Sequence, residues 1–448
     1  MPKLVNIPAD CKFPQLHEIV DPAKLAAKLN QALGPAFATG ERRVSNCAID
    51  HLKYRSAASC VIAFTAIIVD RENRELGQQS FFGKLFRRPQ QLAAQAERLQ
   101  RQAWTPPRFG PAVVQIPDWA MQLWAYPNDP KLPGLALMSN AAKILEEAQA
   151  TPEKFGLQQA PAAIVAQQTK YVPGMRCGYI YHLTMADGSR QAVYGKTYRR
   201  GEGEKAFALM QQIWESEACR SGRLVLPQPY SYDAKLRVLW QEAVAGEPFA
   251  KIADTIPNLP EAANDIGARL AAFHNTTLPL ARKMTFEFQV DEVRRSIAAI
   301  SRAFPDYAER CAQTGQKLLD GAARLGPGAV TPVHASFKFS HIFATAKGIT
   351  FIDFDGANLG DPGYDVGRFI AHLYKMKADW KIAPEVADQT ITSFCAAYNR
   401  AAASPLSSAR INWFAASHLL ASQVYKSVKR MDTSLMGKLL KVAEQLCS

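Results

Sequence analysis

His334-Ala335-Ser336-Phe337-Lys338-Phe339-Ser340-His341, followed by Ile349-Thr350-Phe351-Ile352-Asp353-Phe354-Asp355-Gly356 and Leu359-Gly360-Asp361-Pro362-Gly363-Tyr364-Asp365, is the stretch on which the reading of this chain turns. A polar loop leads into a short apolar strand, and the strand ends in a carboxylate, Asp353. A carboxylate at the end of a buried strand suits Mg²⁺, which prefers one or two carboxylates together with phosphate oxygens. The Gly-Asp-Pro turn behind it supplies two more aspartates, Asp361 and Asp365.

Upstream of this stretch the chain repeats itself. Lys53-Tyr54-Arg55-Ser56-Ala57-Ala58-Ser59-Cys60 precedes an apolar run, and Lys170-Tyr171-Val172-Pro173-Gly174-Met175-Arg176-Cys177 precedes another. A polar turn follows each, Asp70-Arg71-Glu72-Asn73 or Asp187-Gly188. Each then gives an aromatic-rich strand carrying Gly-Lys and two arginines, Gly83-Lys84 with Arg87-Arg88 and Gly195-Lys196 with Arg199-Arg200. Alternating apolar runs between turn residues predict antiparallel strands. Two copies of one strand–hairpin–strand–helix–strand unit are therefore expected, over residues of about 40–135 and about 160–250. Between them lies the Pro-broken stretch Tyr126-Pro127-Asn128-Asp129-Pro130 and a helix near 137–150. Beyond about 250 the periodicity is helical, over 261–275, 291–325 and most of 385–448.

Composition sets the outer bounds. The chain has 448 residues, 48% hydrophobic and 21% charged, which excludes a disordered tail, a collagenous chain and a small disulfide scaffold. Its length gives a prior of about three domains. A net charge of +13 favours anionic partners, such as nucleotides, phosphorylated metabolites, nucleic acid or an acidic membrane surface. Eight scattered cysteines without metal-ligand spacing fit a reducing compartment. The N-terminus shows no signal-peptide pattern and no membrane span is evident, so the expectation is a cytoplasmic protein. Residues 84–108 carry Lys84, Arg87, Arg88, Arg98, Arg101 and Arg108 against the single acid Glu97. That stretch is either a solvated helix face or a dock for an acidic partner, and no aromatic-rich motif speaks for nucleic acid.

The motif order resembles the kinase-like fold of aminoglycoside phosphotransferases and choline kinases, over roughly residues 160–448. Leu270-Ala271-Ala272-Phe273-His274 suits that family's helix in this position, with His274 read as a structural histidine. The resemblance implies an α+β, bilobal protein-kinase-like fold with an antiparallel-sheet small lobe and a helical large lobe. Here it is preceded by an additional N-terminal copy of the small lobe. The expected boundaries are a cap domain over 1–135, a helical linker over 136–160, the small lobe over 161–248 and the helical lobe over 249–448. It implies ATP and Mg²⁺ as cofactors and a small-molecule hydroxyl as acceptor, among helices 255–330 and 385–448.

Position by position, the resemblance implies that Lys196 holds the α- and β-phosphates and that Glu204 orients it by an ion pair. The loop 171–178, with Gly174 and Arg176, would cover the triphosphate. Glu242 to Val244 would read adenine through backbone groups, although the same residues equally suit a plain buried strand. Asp353 would bind the metal and Lys338 would contact the γ-phosphate. His334 would pack beneath the catalytic loop.

The chain departs from the family's His-x-Asp-x-x-x-x-Asn loop at two places. Ser336 stands where the base Asp is expected, and His341 where the metal-holding Asn is expected. A serine hydroxyl accepts a hydrogen bond but is too weak a base near neutral pH. Imidazole matches Mg²⁺ poorly and suits softer metals. The expectation is thus either a diverged phosphotransferase or a nucleotide-binding pseudokinase acting as a scaffold, with nucleotidyl transfer a weaker third reading. In the first copy Lys84 lacks a matching Glu, because Gln90-Gln91-Leu92 occupies that place and Glu97 lies too far along. That copy is expected to be non-catalytic.

Overall fold

Asp21 accepts hydrogen bonds from the Ala23 and Lys24 N–H groups at 2.9 and 3.2 Å, and Pro22 follows with its φ already helical, so the helix Pro22–Ala32 starts there. It turns Leu25, Ala26 and Leu29 inward, onto the first of two large sheets. The computed structural model describes residues 13–55, 59–100, 102–280, 283–430 and 433–447.

The first sheet holds β1 (Arg42–Arg55), β2 (Ser59–Asp70), β3 (Glu75–Leu85), β4 (Val113–Ile116) and β5 (Met121–Ala125), in the order β1-β2-β3-β5-β4. The second holds β6 (Pro161–Val172), β7 (Arg176–Met185), β8 (Arg190–Tyr198), β9 (Pro229–Asp233) and β10 (Val238–Glu242), in the order β6-β7-β8-β10-β9. The two orders are the same, and so is the register. Tyr54 pairs with Cys60 and Val61 with Lys84 in the first, while Tyr171 pairs with Cys177 and Gly178 with Lys196 in the second. Beyond the Lys strand, the Phe86 N–H donates to the Ala120 carbonyl at 2.8 Å, and the Tyr198 N–H to the Arg237 carbonyl at 3.0 Å. Both acceptors are left-handed, Ala120 at φ 43° and Arg237 at φ 55°, a conformation uncommon outside glycine. The Lys84 ammonium lies 4.6 Å from the Phe86 ring centroid, and that of Lys196 lies 5.0 Å from the Tyr198 ring.

One compact unit runs up to Gly201 and includes Tyr232–Leu239; the other comprises Glu202–Ser231 and the chain from Trp240 onward. In the first unit, Phe64, Phe81, Met121 and Leu123 form one core with Leu25 and Leu29 of the N-terminal helices. A smaller cluster, Phe82, Leu99 and Trp124, joins Trp104 and Val113.

The second unit is mainly helical: Leu259–His274, Phe286–Ala303, Ala308–Leu325, Gly363–Ala378, Pro384–Ala401, Ser408–His418 and Met436–Leu446. Its core gathers Val293, Ile300, Leu318, Trp413, Phe414 and Leu440. The helical region read over 291–325 is two helices broken at Phe304-Pro305. Proline removes an N–H and its ring blocks the preceding turn, so a 3₁₀ turn at Pro305–Tyr307 intervenes. Among the described residues no helix is long and apolar enough to cross a membrane.

Candidate active site

Within the helical unit the loop after strand Thr331–Val333 is tied down from behind. That strand pairs antiparallel with Asn358–Gly360, which joins the start of the loop to the Gly-Asp-Pro motif. Asp365, fully buried, accepts the His334 N–H at 2.5 Å and the Ala335 N–H at 2.9 Å. His274 Nε2 lies 3.2 Å from the same carboxylate, and His274 Nδ1 lies 2.9 Å from the Tyr398 hydroxyl. His274 is thus a structural histidine, as its apolar helix face suggested. Asp361 accepts the Gly363 N–H at 2.9 Å and forms a forked pair with Arg410, whose Nε lies 2.9 Å from Oδ2. Arg410 also donates to the Gly326 carbonyl at 3.1 Å. Losing one partner of such a buried pair costs about 3–5 kcal/mol, because the other charge is left uncompensated. Asp365 therefore braces the loop, while Asp361 ties the Gly-Asp-Pro turn to Arg410 and through it to Gly326, without a bond to the loop itself.

The loop itself carries Ser336, Lys338 and His341. His334 lies beneath it, with its Nε2 donating to the Ile352 carbonyl at 3.0 Å and its ring 4.7 Å from Phe354. Ser336 Oγ lies 3.4 Å from His341 Nδ1, and His341 Nε2 lies 3.2 Å from Asp353 Oδ2. Serine, imidazole and carboxylate thus form a chain through the positions where the resembled family has its base, its Asn and its metal-binding Asp. Asp353 is left-handed, at φ 65°, and the turn Phe354–Gly356 after it packs against the helix Glu202–Trp214. A non-glycine residue held in that region stores about 1–3 kcal/mol and is characteristic of functional sites. Lys338 is half-buried.

Among the described residues no group of three or more His, Cys, Asp or Glu side chains gathers as a metal cage. Mg²⁺ needs no such cage, and Asp353 with the oxygens of a bound phosphate would satisfy it. Nε2 of His341, 3.2 Å from Asp353 Oδ2, would suit an ion softer than Mg²⁺.

In the strand unit Lys196 is only 7% exposed. The turn preceding it places Gly174 at φ 65°, where a side chain would be strained. The expected loop over 171–178 is shorter than read, since Arg176 already pairs with Tyr198 and begins β7. The Gly174 N–H is engaged: Asp129 Oδ2 accepts it at 2.6 Å and also accepts the Tyr171 hydroxyl at 2.9 Å. Burial raises the Asp129 pKa above the usual carboxylate range, against the lowering effect of those bonds. Burial and the Asp129 charge push the Cys177 thiol up to about 12, so it is not a nucleophile. Sequence reading missed Asp129. Its only signal was an Asp-Pro turn in the linker, and nothing in that pattern names a partner more than forty residues away.

Glu204 is exposed on the first turn of the helix Glu202–Trp214, with no ion-pair partner among the described residues. The Glu242 N–H donates to the Gln228 carbonyl at 2.8 Å, and its carboxylate accepts Lys347 Nζ at 2.5 Å. The N–H of Val244, two residues on, has no partner among the described residues.

Residues 185–405 match the family model described as the phosphotransferase enzyme family, APH. Among solved structures the chain is similar to a thermostable mutant of aminoglycoside phosphotransferase APH(4)-Ia in ternary complex with ADP and hygromycin B. The identity there is 14%, the match covers 69% of this chain and 98% of that one, and the TM-score is 0.47. It is similar too to choline kinase from Cryptosporidium parvum Iowa II, at 10% identity over 68% of this chain and 94% of that one, with a TM-score of 0.46. No curated protein matches the chain. The stretch that carries the braced loop, Asp353 and the Gly-Asp-Pro turn is thus the part of the chain that matches the phosphotransferase enzyme family.

Proposed function

We propose that this chain is an ATP- and Mg²⁺-dependent phosphotransferase that acts on a small-molecule hydroxyl and has diverged at its base. The observation that carries the reading is the braced loop ending at a left-handed Asp353, inside the stretch matched by the family model. Lys196 holds the α- and β-phosphates without the expected ion pair to Glu204, and Glu242 to Val244 read the adenine. Arg176 covers the phosphates, while the Gly174 N–H stays with Asp129, and Lys338 meets the γ-phosphate. Asp353, with His341 beside it, holds the metal ion, whose charge would offset that building on the phosphoryl oxygens.

In the reaction the acceptor oxygen bonds to the γ-phosphorus, the bond from that phosphorus to the bridging oxygen breaks, and ADP leaves. The acceptor proton has no carboxylate to receive it, because Ser336 occupies that place. It departs with the phosphoryl oxygens or to water. A missing general base costs about 10²–10⁴-fold, so transfer is slow rather than absent.

The replaced loop residues favour one other reading, a nucleotide-binding pseudokinase acting as a scaffold. In both readings the first sheet is a non-catalytic duplicate of the second, supported by the shared strand order and by the Lys-on-aromatic pairs. Both also suit the cytoplasm, where the cysteines stay reduced.

Thermal shift with ATP and Mg²⁺ tests binding, and hydrolysis of ATP tests turnover. The expected result is stabilisation by ATP that Lys196→Ala and Asp353→Ala abolish, with weak hydrolysis that Ser336→Asp raises. Binding without any hydrolysis, unimproved by Ser336→Asp, selects the scaffold. Absence of nucleotide binding overturns both readings.

A further inference from the structure

Ala335, the residue before Ser336, is left-handed at φ 59°, as Asp353 is at 65°. A side chain is strained there unless its surroundings fix the backbone. Here they do. The Ala335 N–H donates to Asp365 Oδ1 at 2.9 Å, and its carbonyl accepts from Arg368 Nη1 at 3.3 Å. Ser336 is thus a side chain on a clamped support. Its hydroxyl meets His341 Nδ1 at 3.4 Å, and on the other side of that ring Nε2 lies 3.2 Å from Asp353 Oδ2. With the carboxylate taking the Nε2–H, Nδ1 is left to accept. The hydroxyl then turns its hydrogen to the ring and its lone pairs away from it. A serine held by an imidazole that a carboxylate orients is the arrangement of a nucleophile.

Arg368 points the same way independently. It lies on the helix Gly363–Ala378, and its Nη1 reaches the Ala335 carbonyl and the Tyr364 hydroxyl, both at 3.3 Å, the long end for a hydrogen bond. Its Nε is buried and has no acceptor among the described residues. A buried charged donor without an acceptor is costly, and an anion placed at the loop removes that cost. A phosphate on Ser336, the residue after Ala335, is such an anion and brings three acceptor oxygens. Lys338, half-buried two residues along the loop, adds a second positive charge there.

We propose that Ser336 is a phosphorylation site of the chain itself: its hydroxyl takes the γ-phosphoryl group of the bound nucleoside triphosphate, and Arg368 pairs with the phosphoserine. The inference rests on the phosphotransferase reading for the donor and goes beyond it in the acceptor, which is a side chain of the protein. Ser336 Oγ bonds to the γ-phosphorus, the bond from that phosphorus to the bridging oxygen breaks, and its electron pair leaves with ADP. The serine proton departs to water by way of the phosphoryl oxygens. One oxygen replaces another at phosphorus, so nothing is oxidised or reduced. Phosphate monoesters hydrolyse very slowly without catalysis, so the product persists. It places negative charge on the loop that faces Asp353 and acts as a brake on the site.

The test is intact-mass spectrometry of the full chain after incubation with ATP and Mg²⁺, with the phosphate located by peptide fragmentation and thermal shift recorded in parallel. The wild type should gain the mass of a single phosphoryl group, on Ser336. The rate should not change on dilution, because transfer occurs within one chain. Ser336→Ala should gain nothing, and Ser336→Thr, which keeps the hydroxyl, should be modified more slowly. Arg368→Gln should lower the rate by about tenfold or more. Ser340→Ala is the control: Ser340 is an exposed hydroxyl on the same loop, and its removal should leave the gain in mass as it is. Unliganded melting curves that overlay the wild type establish that each variant folds. Stabilisation by ATP without a gain in mass overturns the inference and leaves the phosphotransferase reading standing. The inference also fails if the phosphate lies elsewhere than on Ser336, or if Asp353→Ala gains it equally, the mark of a contaminating kinase. A rate in Arg368→Gln equal to that of the wild type overturns the part given to Arg368. Neither stabilisation nor a gain in mass overturns both the inference and the reading beneath it.

Discussion

The two sheets of the strand unit share their order, their register and even the left-handed residue before the fifth strand, yet their surroundings differ. The first packs the helix Pro22–Ala32 against β1 and buries Phe64 and Phe81 beneath it. In the second, β6 is largely exposed, with Val165 at 67%. The lysines differ in the same sense: Lys84 is half-buried, while Lys196 is 7% exposed. A sheet frame can thus be repeated without repeating its chemistry, because strand pairing depends on the backbone and on alternating burial. The chemistry depends on a few positions outside the ladder. The Pro-Gly turn at 173–174, held by Asp129, belongs to the second sheet, and the first has Arg55 to Ser59 in its place.

The largest difference between the sheets should emerge when the two equivalent lysines are removed in turn. Lys196→Ala should abolish ATP-dependent stabilisation, an effect of about 100-fold or more in affinity for a buried phosphate contact. Lys84→Ala, at a half-buried lysine of the first sheet, should weaken ATP by less than about tenfold. Equal losses would mean that the sheets are functionally interchangeable and that their asymmetry is one of packing alone. Isothermal titration of both variants decides it.

Much of this frame was legible in the chain itself. The Lys-Tyr…Cys and Gly-Lys matches predicted paired hairpins, and the pairing of Tyr54 with Cys60 and Tyr171 with Cys177 shows them in one register. Motif order likewise led to the family that residues 185–405 match. What could not be read is where side chains from different segments meet. Leu239-Trp240 invites alignment with Leu123-Trp124, but the left-handed Ala120 and Arg237 set Leu123 level with Trp240, one residue out. The Ser336–His341–Asp353 chain was visible as three letters, whereas its geometry depends on the 3₁₀ turn Phe339–His341 and on the left-handed Asp353. Asp129 and Lys131 reach Gly174 through tertiary folding of a linker, and no local pattern encodes that.

A second pair of substitutions probes the contrast in packing. Gly83 lies in the core of the first sheet, where an added Cβ would collide with Met121 Cε and lie 2.9 Å from both Ile62 Cγ2 and Leu123 Cδ2. Gly178 pairs with Lys196 in the second sheet, where the nearest atoms are the hydroxyls of Tyr194 and, at 2.8 Å, Thr169. Core methyl groups locked by their neighbours cannot retreat, whereas a tyrosine at a sheet surface can swing its hydroxyl away. Gly83→Ala should therefore cost about 2 kcal/mol by overpacking, and Gly178→Ala less than about 1 kcal/mol. Urea denaturation of both variants measures the difference, and a larger cost at Gly178 would mean that the second sheet is the more tightly packed of the two.

The smallest effect separates the strand unit from the helical one through pH. In the helical unit His418 donates from Nε2 to the Tyr364 carbonyl at 2.9 Å, and His372 Nε2 is buried without a partner. Burial lowers both pKa values well below 6.5, and the charges of Arg368 and Lys426 act in the same direction on each; Lys375 and Lys338 add to it at His372. A base whose folded pKa is depressed stabilises the fold fully above its unfolded pKa, near 6.5, and that stability is lost as pH falls towards the folded value. Asp129 in the strand unit has the opposite sign. Its raised pKa gives stability at acid pH that is lost as pH rises through the folded value. Acidification from pH 7 to 6 should thus loosen the helical unit by about 1 kcal/mol from its two histidines, while Asp129 contributes no loss to the strand unit. Hydrogen exchange, corrected for its intrinsic pH dependence, should show protection falling over residues 363–378 and 408–424 but holding over 161–185. If protection instead falls evenly across both units, the buried histidines do not set the acid limit of this fold.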